Sequence, residues 1–365
     1  MVELMRSPLH ARHEALGAKF AEFSGWSMPL QYTSVVAEHT AVRTAAGLFD
    51  VSHLGNARVS GPGARSFLNS CLTNDLDRIG PGQAQYTLCC ADDGGVVDDL
   101  IQYLVSDEDV LLIPNAANTA TVVGLLQEAA PAGVVVTNEH LQHAILAVQG
   151  PASDAVLEAL GVPPSLEYMH FRPAQIAGVT VSLCRTGYTG ELGYEVVCAW
   201  SDAVTVWDAL LSAGQPLGML PAGLGARDTL RTEMGYALHG HELSAEITPV
   251  MAGLGWAVGW DKPTFWGAEA LKRQRAAGPS RRSRAIKAVG RGIPRPGMDC
   301  VGDDGAVVGT VTSGTFSPTL QTGIGLALLE PGYAPGADVG VQVRARVEPF
   351  TVEKAPLVHP HVKAQ

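Results

Sequence analysis

The chain has 365 residues, 46% hydrophobic and 17% charged, with 41 glycines and a formal net charge of -11. This excludes a disordered chain, and the length exceeds one ordinary core, so two or three globular domains are expected. The acidic balance argues against a general nucleic-acid binder. With no apolar run long enough to span a bilayer and no apolar stretch after Met1, a cytoplasmic protein with no membrane segment is expected.

Ser34 is placed to cap a helix running through Val35, Val36, His39, Val42 and Ala46, with Gly47 as its C′ glycine. Phe49-Asp50-Val51-Ser52-His53 follows, and His53 reads as a structural histidine. Ala64 to Leu72 predicts a short helix. Gln83 to Ala91 predicts a strand that turns at Asp92-Asp93-Gly94-Gly95 into a second strand, Val96 to Val105, forming a hairpin. Strict alternation puts Val97, Asp99, Ile101 and Tyr103 on one face and Val96, Asp98, Leu100 and Gln102 on the other. Two readings of the adjacent acids stay open. Either both belong to the turn and pairing starts at Leu100, or one carboxylate lies among apolar and tyrosine side chains. In that second setting its pKa would shift and suit it to proton or ammonium chemistry.

Val110 to Pro114 is a further strand. Asn115-Ala116-Ala117-Asn118 then opens a helix striped by Val122, Leu125, Leu126 and Ala129. Asn115 reads as a helix cap or as a ligand contact. A second strand–helix set covers roughly 143–215, with strands at Ala144 to Val148, Val179 to Cys184 and Gly193 to Cys198, and helices around Val156 and Trp207. Gly223-Leu224-Gly225-Ala226-Arg227-Asp228 enters a helix whose apolar face is Leu230, Met234, Ala237 and Leu238; no phosphate-loop or dinucleotide fingerprint accompanies these glycines. Arg227 sits in the first turn, where the helix dipole favours anions, so it either meets an acidic or carbonyl partner or faces solvent.

Lys272 to Arg295 carries nine Lys and Arg residues and no acid, readable as a solvated linker or as an anion-steering patch, with a domain boundary at Gly278-Pro279-Ser280. The segments 305–312, 323–329 and 339–350 predict a small all-β domain, and the tail after Glu353 is expected to fray. The six cysteines form no C-x-x-C pair. The close histidine pairs His140/His143, His239/His241 and His359/His361 lack a third ligand, so reduced thiols and no metal are expected.

Several stretches, in collinear order over nearly the whole chain, resemble the glycine cleavage T-protein family. They are 17–32, Phe49 to His53, Gly94 to Leu100, Asn115 to Asn118, Arg185 to Glu191, Gly223 to Asp228 and Thr312 to Leu320. The resemblance implies an α+β fold, a three-domain cloverleaf around a central folate channel with a C-terminal small β-barrel domain. It divides the chain into 1–50 with 140–260, 51–139, and 280–365. It implies a tetrahydrofolate-dependent aminomethyltransferase that takes a one-carbon unit from the lipoyl arm of H-protein. The implied products are methylenetetrahydrofolate and ammonia, and the implied partners are the lipoylated H-protein and, loosely, the other glycine cleavage components.

By the same matching Asp99 is the catalytic acid, and Glu195 and Arg227 bind folate. Tyr86, Tyr103, Tyr168, Tyr188 and Tyr236 line the channel, and Asn115 lies near it. Two departures stand out. Leu54 replaces a common Met, and only Lys354 follows Pro349-Phe350 where relatives often carry an earlier basic residue. Two other readings of the fold are a tetrahydrofolate-dependent demethylase and a non-catalytic folate-binding accessory protein; the Lys-Gly-Cys motif of the latter is absent.

Overall fold

The computed structural model describes residues 3–363, in which two α+β bodies and a barrel meet around one long helix. The first body is a six-stranded sheet ordered Phe171–Ile176, Val179–Cys184, Gly193–Ala199, His143–Gln149, Gly47–Asp50, Leu220–Pro221. Alternation along His143–Gln149 serves two cores. Ala144, Leu146 and Val148 pack with Trp207 and the helices Ser153–Ala159 and Ala203–Gly214, while Ile145 and Ala147 pack with Phe49, Ala226 and Leu230. That second face seats the helix Leu224–Met234 and so fixes where Arg227 stands.

The second body is a five-stranded sheet ordered Gln83–Cys90, Val96–Ser106, Asp109–Ile113, Ala57–Ser60, Val135–Asn138. Its inner face packs on the helices Ala64–Cys71 and Thr119–Ala129 through Phe67, Leu68, Leu100, Val122 and Leu126. The third is a closed six-stranded barrel, Arg282–Ala288, Thr322–Leu329, Val307–Ser317, Asp299–Val301, Asp338–Val343, Arg346–Glu353. Buried charges on Leu224–Met234 tie the bodies together. Glu233 accepts from Arg43 at 2.7 Å and from Thr319 at 3.0 Å, and Arg231 donates to Glu242 at 2.9 Å and to Ser313 at 2.8 Å. Such pairs specify one docking geometry, because misplacing either partner leaves a buried charge alone.

Several expectations are corrected. The helix capped by Ser34 ends at Thr44, and Gly47 is no C′ residue: it begins a buried strand, where a Cβ would come within 2.5 Å of Val42. Neither Asn115 nor Asn118 caps the helix Thr119–Ala129 with its side chain; both amides are drawn to Asp98. The helix entered at Gly223 stops at Gly235 (φ 69°), so Ala237 and Leu238 lie beyond it. The basic segment is no linker. It supplies part of the helix Ala268–Ala277 and the strand Arg282–Ala288, with only residues 278–281 between them.

Residues 339–350 belong to a hairpin and not to one strand, turning at Arg344. The tail after Glu353, expected to fray, is docked as far as it is described. Leu357 N–H donates to Glu233 O and His361 N–H to Gly190 O, both at 2.7 Å, and Arg185 reaches Val362 O at 3.0 Å. Its own sequence gives no sign of this, because every partner lies more than 100 residues away.

The turn before the acidic pair leaves no room for a side chain. A Cβ on Gly95 would stand 1.9 Å from the Ala245 carbonyl oxygen, a backbone atom that cannot rotate aside. Gly95→Ala is therefore expected to lower the urea midpoint, by a destabilisation of roughly 1–3 kcal/mol typical of overpacking.

Candidate active site

Pairing of the hairpin begins at Val96, so both acids lie in the strand and the turn reading is set aside. The register is Cys90↔Val96, Cys89↔Asp98, Leu88↔Asp99, Tyr86↔Ile101, with Val97 as the extra residue of a bulge. The bulge breaks strict alternation. Val96 joins Leu88, Cys90 and Tyr86 on the face of Asp99, whereas Val97 joins the Leu100 side.

The two carboxylates differ in what satisfies them. Asp98 is fully buried and accepts from Asn115 N–H at 2.9 Å, Asn115 Nδ2 at 2.9 Å and Asn118 Nδ2 at 2.7 Å. Asp99 is partly exposed and accepts from Tyr86 Oη at 2.9 Å and Asn115 Nδ2 at 2.8 Å, so each of its oxygens keeps acceptor capacity. Burial raises the pKa of Asp99, opposed by the Tyr86 hydroxyl, His239 and Asn115. Burial, then repulsion from Asp99, pushes Asp98 up to about 7. Asp98 is thus enclosed in the scaffold, and Asp99 is the partly exposed member of the pair.

A raised carboxyl pKa means that the folded state holds a proton the unfolded chain has lost. The stability Asp98 lends is full below about pH 4 and is lost as pH rises through about 7. Urea unfolding at intervals across that window should show wild-type stability falling by up to roughly 1.4 kcal/mol per pH unit, a slope that Asp98→Asn removes.

Around this pair the sequence-predicted residues divide by role. The Tyr86 ring lies against the indole of Trp256, with centroids 5.4 Å apart and Trp256 62% exposed. Glu195, on the strand Gly193–Ala199, is held by the Thr186 hydroxyl, which in turn lies 3.2 Å from Tyr103 Oη. Tyr103 is 1% exposed and edge-on to Phe171, so it acts through Thr186 and does not present a ring to a channel. The Arg227 guanidinium lies over the Tyr188 ring at 4.4 Å and has no ion pair or side-chain hydrogen bond among the described residues. The Tyr188 ring is followed by Tyr236 at 5.7 Å. Burial lowers the Arg227 pKa, and Tyr188 and Glu195 oppose that shift. The acidic or carbonyl partner and the solvent-facing placement both give way to a desolvated cation on a π face.

Tyr168 is partly buried, and the cation near it is Lys363, whose ammonium lies 5.9 Å from its ring centre. The docked tail thus brings Lys363 beside Tyr168, and the exposed Lys354 makes no side-chain bond among the described residues. Asn115 is committed to the two carboxylates and borders a cleft shared with Phe23, Ser24, Leu54, Asn118, Leu238 and His239. His53 is buried, its Nδ1 without a partner, and burial followed by Arg227 brings its pKa down to about 3. Asp98, Asn118, Thr186, Trp256 and His239 escaped the sequence reading as site residues. The one available signal was the i, i+3 spacing of Asn115 and Asn118 beside two acids.

Among the described residues no group of three or more His, Cys, Asp or Glu side chains is arranged to hold a metal ion, and no helix is long and apolar enough to cross a membrane. All six cysteines are free and buried.

Residues 9–262 match the GCVT N-terminal domain and 281–359 the glycine cleavage T-protein C-terminal barrel domain. An aminomethyltransferase of Parafrankia sp. is 60% identical over 360 residues, 98% of this chain and 99% of the relative. One from Mycobacterium bovis is 59% identical over 359 residues, 98% and 97% of the two chains. The crystal structure of glycine cleavage system aminomethyltransferase T from Bartonella henselae superposes with a TM-score of 0.92 at 33% identity, covering 98% of this chain and 99% of that one. These relatives do not favour the demethylase or accessory-protein readings. The chain belongs to the glycine cleavage T-protein family of aminomethyltransferases.

Proposed function

We propose that this aminomethyltransferase moves its one-carbon unit from the aminomethylated lipoyl arm of H-protein to tetrahydrofolate, releasing ammonia, with Asp99 as the catalytic group. The observation that carries this reading is the contrast within the acid pair: Asp98 is fully buried and already accepts three donors from Asn115 and Asn118, while Asp99 reaches the surface of the site and accepts only one donor on each oxygen. A carboxylate so placed orients a folate N–H, accepts its proton, and stabilises the cationic iminium that forms at the transferred carbon.

The remaining residues supply binding. Glu195 offers an acceptor edge for the amide-and-amino side of the pterin, positioned by Thr186 and Tyr103. Arg227, stacked on Tyr188 and without an ion pair among the described residues, suits an electron-rich heterocycle or carbonyl. Tyr86, Tyr168 and Tyr236 give flat walls for the pterin and benzoyl rings. The acceptor fits these groups without a metal.

The test is a paired assay of ammonia and methylenetetrahydrofolate, with aminomethylated H-protein and tetrahydrofolate as substrates. Equal yields of the two products support the reading. Ammonia released with no gain of methylenetetrahydrofolate would show that folate is not the acceptor.

A further inference from the structure

The turn after Leu224–Met234 places a histidine that the proposed reaction has not used. His239 lines the cleft that ends on Asn115, the residue whose amide lies 2.8 Å from Asp99. Its Nε2 lies 3.3 Å from the Val96 carbonyl, the donor geometry of an Nε2–H tautomer, and the Val97 bulge puts Val96 on the same face as Asp99. The turn is pinned on both sides. Gly240 N–H donates to Leu243 O, His241 Nδ1 binds Thr312 O, and Glu242 accepts from Leu238 N–H and Arg231. His239 is therefore held at the cleft wall by a rigid turn, and its Nδ1 makes no bond to protein among the described residues.

Phe23, Leu54, Ala116, Ala117 and Leu238 make the cleft walls largely apolar, as an alkyl thioether arm requires. Its polar lining is Ser24, Asn115, Asn118 and His239. The transfer moves two protons. As the carbon–nitrogen bonds to folate form, its two N–H protons are lost. The carrier sulfur keeps the electron pair of the broken carbon–sulfur bond and needs one proton, and the departing nitrogen needs the other to leave as ammonia. In the reading given above Asp99 takes a proton that folate gives up, and the proton for the sulfur needs a second group.

We propose that His239 is the proton donor to the carrier sulfur, reached through this cleft. The inference rests on the reading of the site given above, in which the donor is a thioether-linked aminomethyl group. Imidazole is the side chain suited to trading a proton near neutral pH, and His239 recovers its proton from solvent at the cleft mouth. The titratable groups on the surrounding elements are Asp98 and Asp99 on Val96–Ser106, Tyr86 on the paired strand, His53 beside Leu54, Glu22 beneath the Ser24–Gly25 turn, and His241 and Glu242 on its own turn.

The test compares wild type, His239→Gln, which keeps a donor for Val96, and His239→Ala, each assayed over a range of pH with aminomethylated H-protein and tetrahydrofolate. The expected result is a fall in kcat of about 10²-fold in both variants, with loss of the alkaline limb that a protonated donor imposes. Tetrahydrofolate affinity should stay within about twofold, and added imidazole should restore turnover to His239→Ala through the open cleft. A wild-type pH profile in His239→Gln, or a defect confined to KM for the carrier with no rescue by imidazole, would overturn the proposal and leave His239 a wall residue. A wild type inactive with this carrier would instead overturn the donor reading on which the proposal rests.

Discussion

Asp99→Asn is expected to lower kcat by about 10²–10³-fold or more while tetrahydrofolate still binds. The replacement is nearly isosteric and can still accept from Tyr86 through its remaining oxygen, so the hairpin should keep its register. What disappears is the negative charge and the proton acceptor. In these partly buried surroundings both act on the cation developing at the transferred carbon, where a fixed charge is worth more than in bulk solvent. The loss should therefore fall on kcat and kcat/KM alike. Circular dichroism and the thermal midpoint check that the fold is intact. Activity within about tenfold of wild type would place the reacting carbon away from Asp99.

Arg227→Ala is expected to raise KM for tetrahydrofolate by about 10- to 100-fold, the loss of one charge-assisted contact of roughly 1.5–3 kcal/mol. The argument is one of unmet capacity. Arg231, one turn along the same helix, is fully committed to Asp228, Glu242 and Ser313, whereas among the described residues the Arg227 guanidinium has only the Tyr188 ring. A desolvated cation with no ion pair among the described residues, helped only at a distance by Glu195, is costly to the folded enzyme, so Arg227→Ala is expected to leave the melting point unchanged or raise it. Arg227→Lys should recover little, because an ammonium neither stacks on a ring nor presents a planar fork. Binding measured by titration calorimetry, beside melting curves, separates this from a folding defect. Unchanged tetrahydrofolate affinity in Arg227→Ala would remove Arg227 from the site.

Much of the fold was legible because its signals are local. The Ser34 cap, the Gly94-Gly95 turn and the β-branched run from Val96 each follow from a few adjacent residues, and each stands where periodicity and turn chemistry put it. The bulge at Val97 was not legible, since one extra residue in a ladder leaves no mark in composition, yet it decides which residues share a face with Asp99. The cap reading of Asn115 gave way for an energetic reason. A helix cap contributes about 1 kcal/mol, and two desolvated carboxylates nearby offer an amide donor more.

Long-range partners explain the other gaps. A proline-rich, polar tail reads as frayed on its own, but its backbone is satisfied by Glu233, Gly190 and Arg185. Tyr103 and Tyr188 were indistinguishable in sequence. One, in the strand Val96–Ser106, is sealed behind Thr186; the other, in the loop between Val179–Cys184 and Gly193–Ala199, faces Arg227. Family resemblance pointed to Asp99, and the geometry supplies a physical reason for preferring it to Asp98: Asp98 is fully buried behind three asparagine donors, whereas Asp99 is partly exposed with one donor on each oxygen.

The most direct measurement is a crystal structure of the tetrahydrofolate complex. The account predicts a folate N–H nitrogen within about 3.2 Å of an Asp99 carboxylate oxygen, the pterin's amide-and-amino edge on Glu195, and Arg227 in contact with the ligand. Folate bound with its reactive nitrogens out of reach of Asp99, or with the pterin away from Glu195, would contradict it.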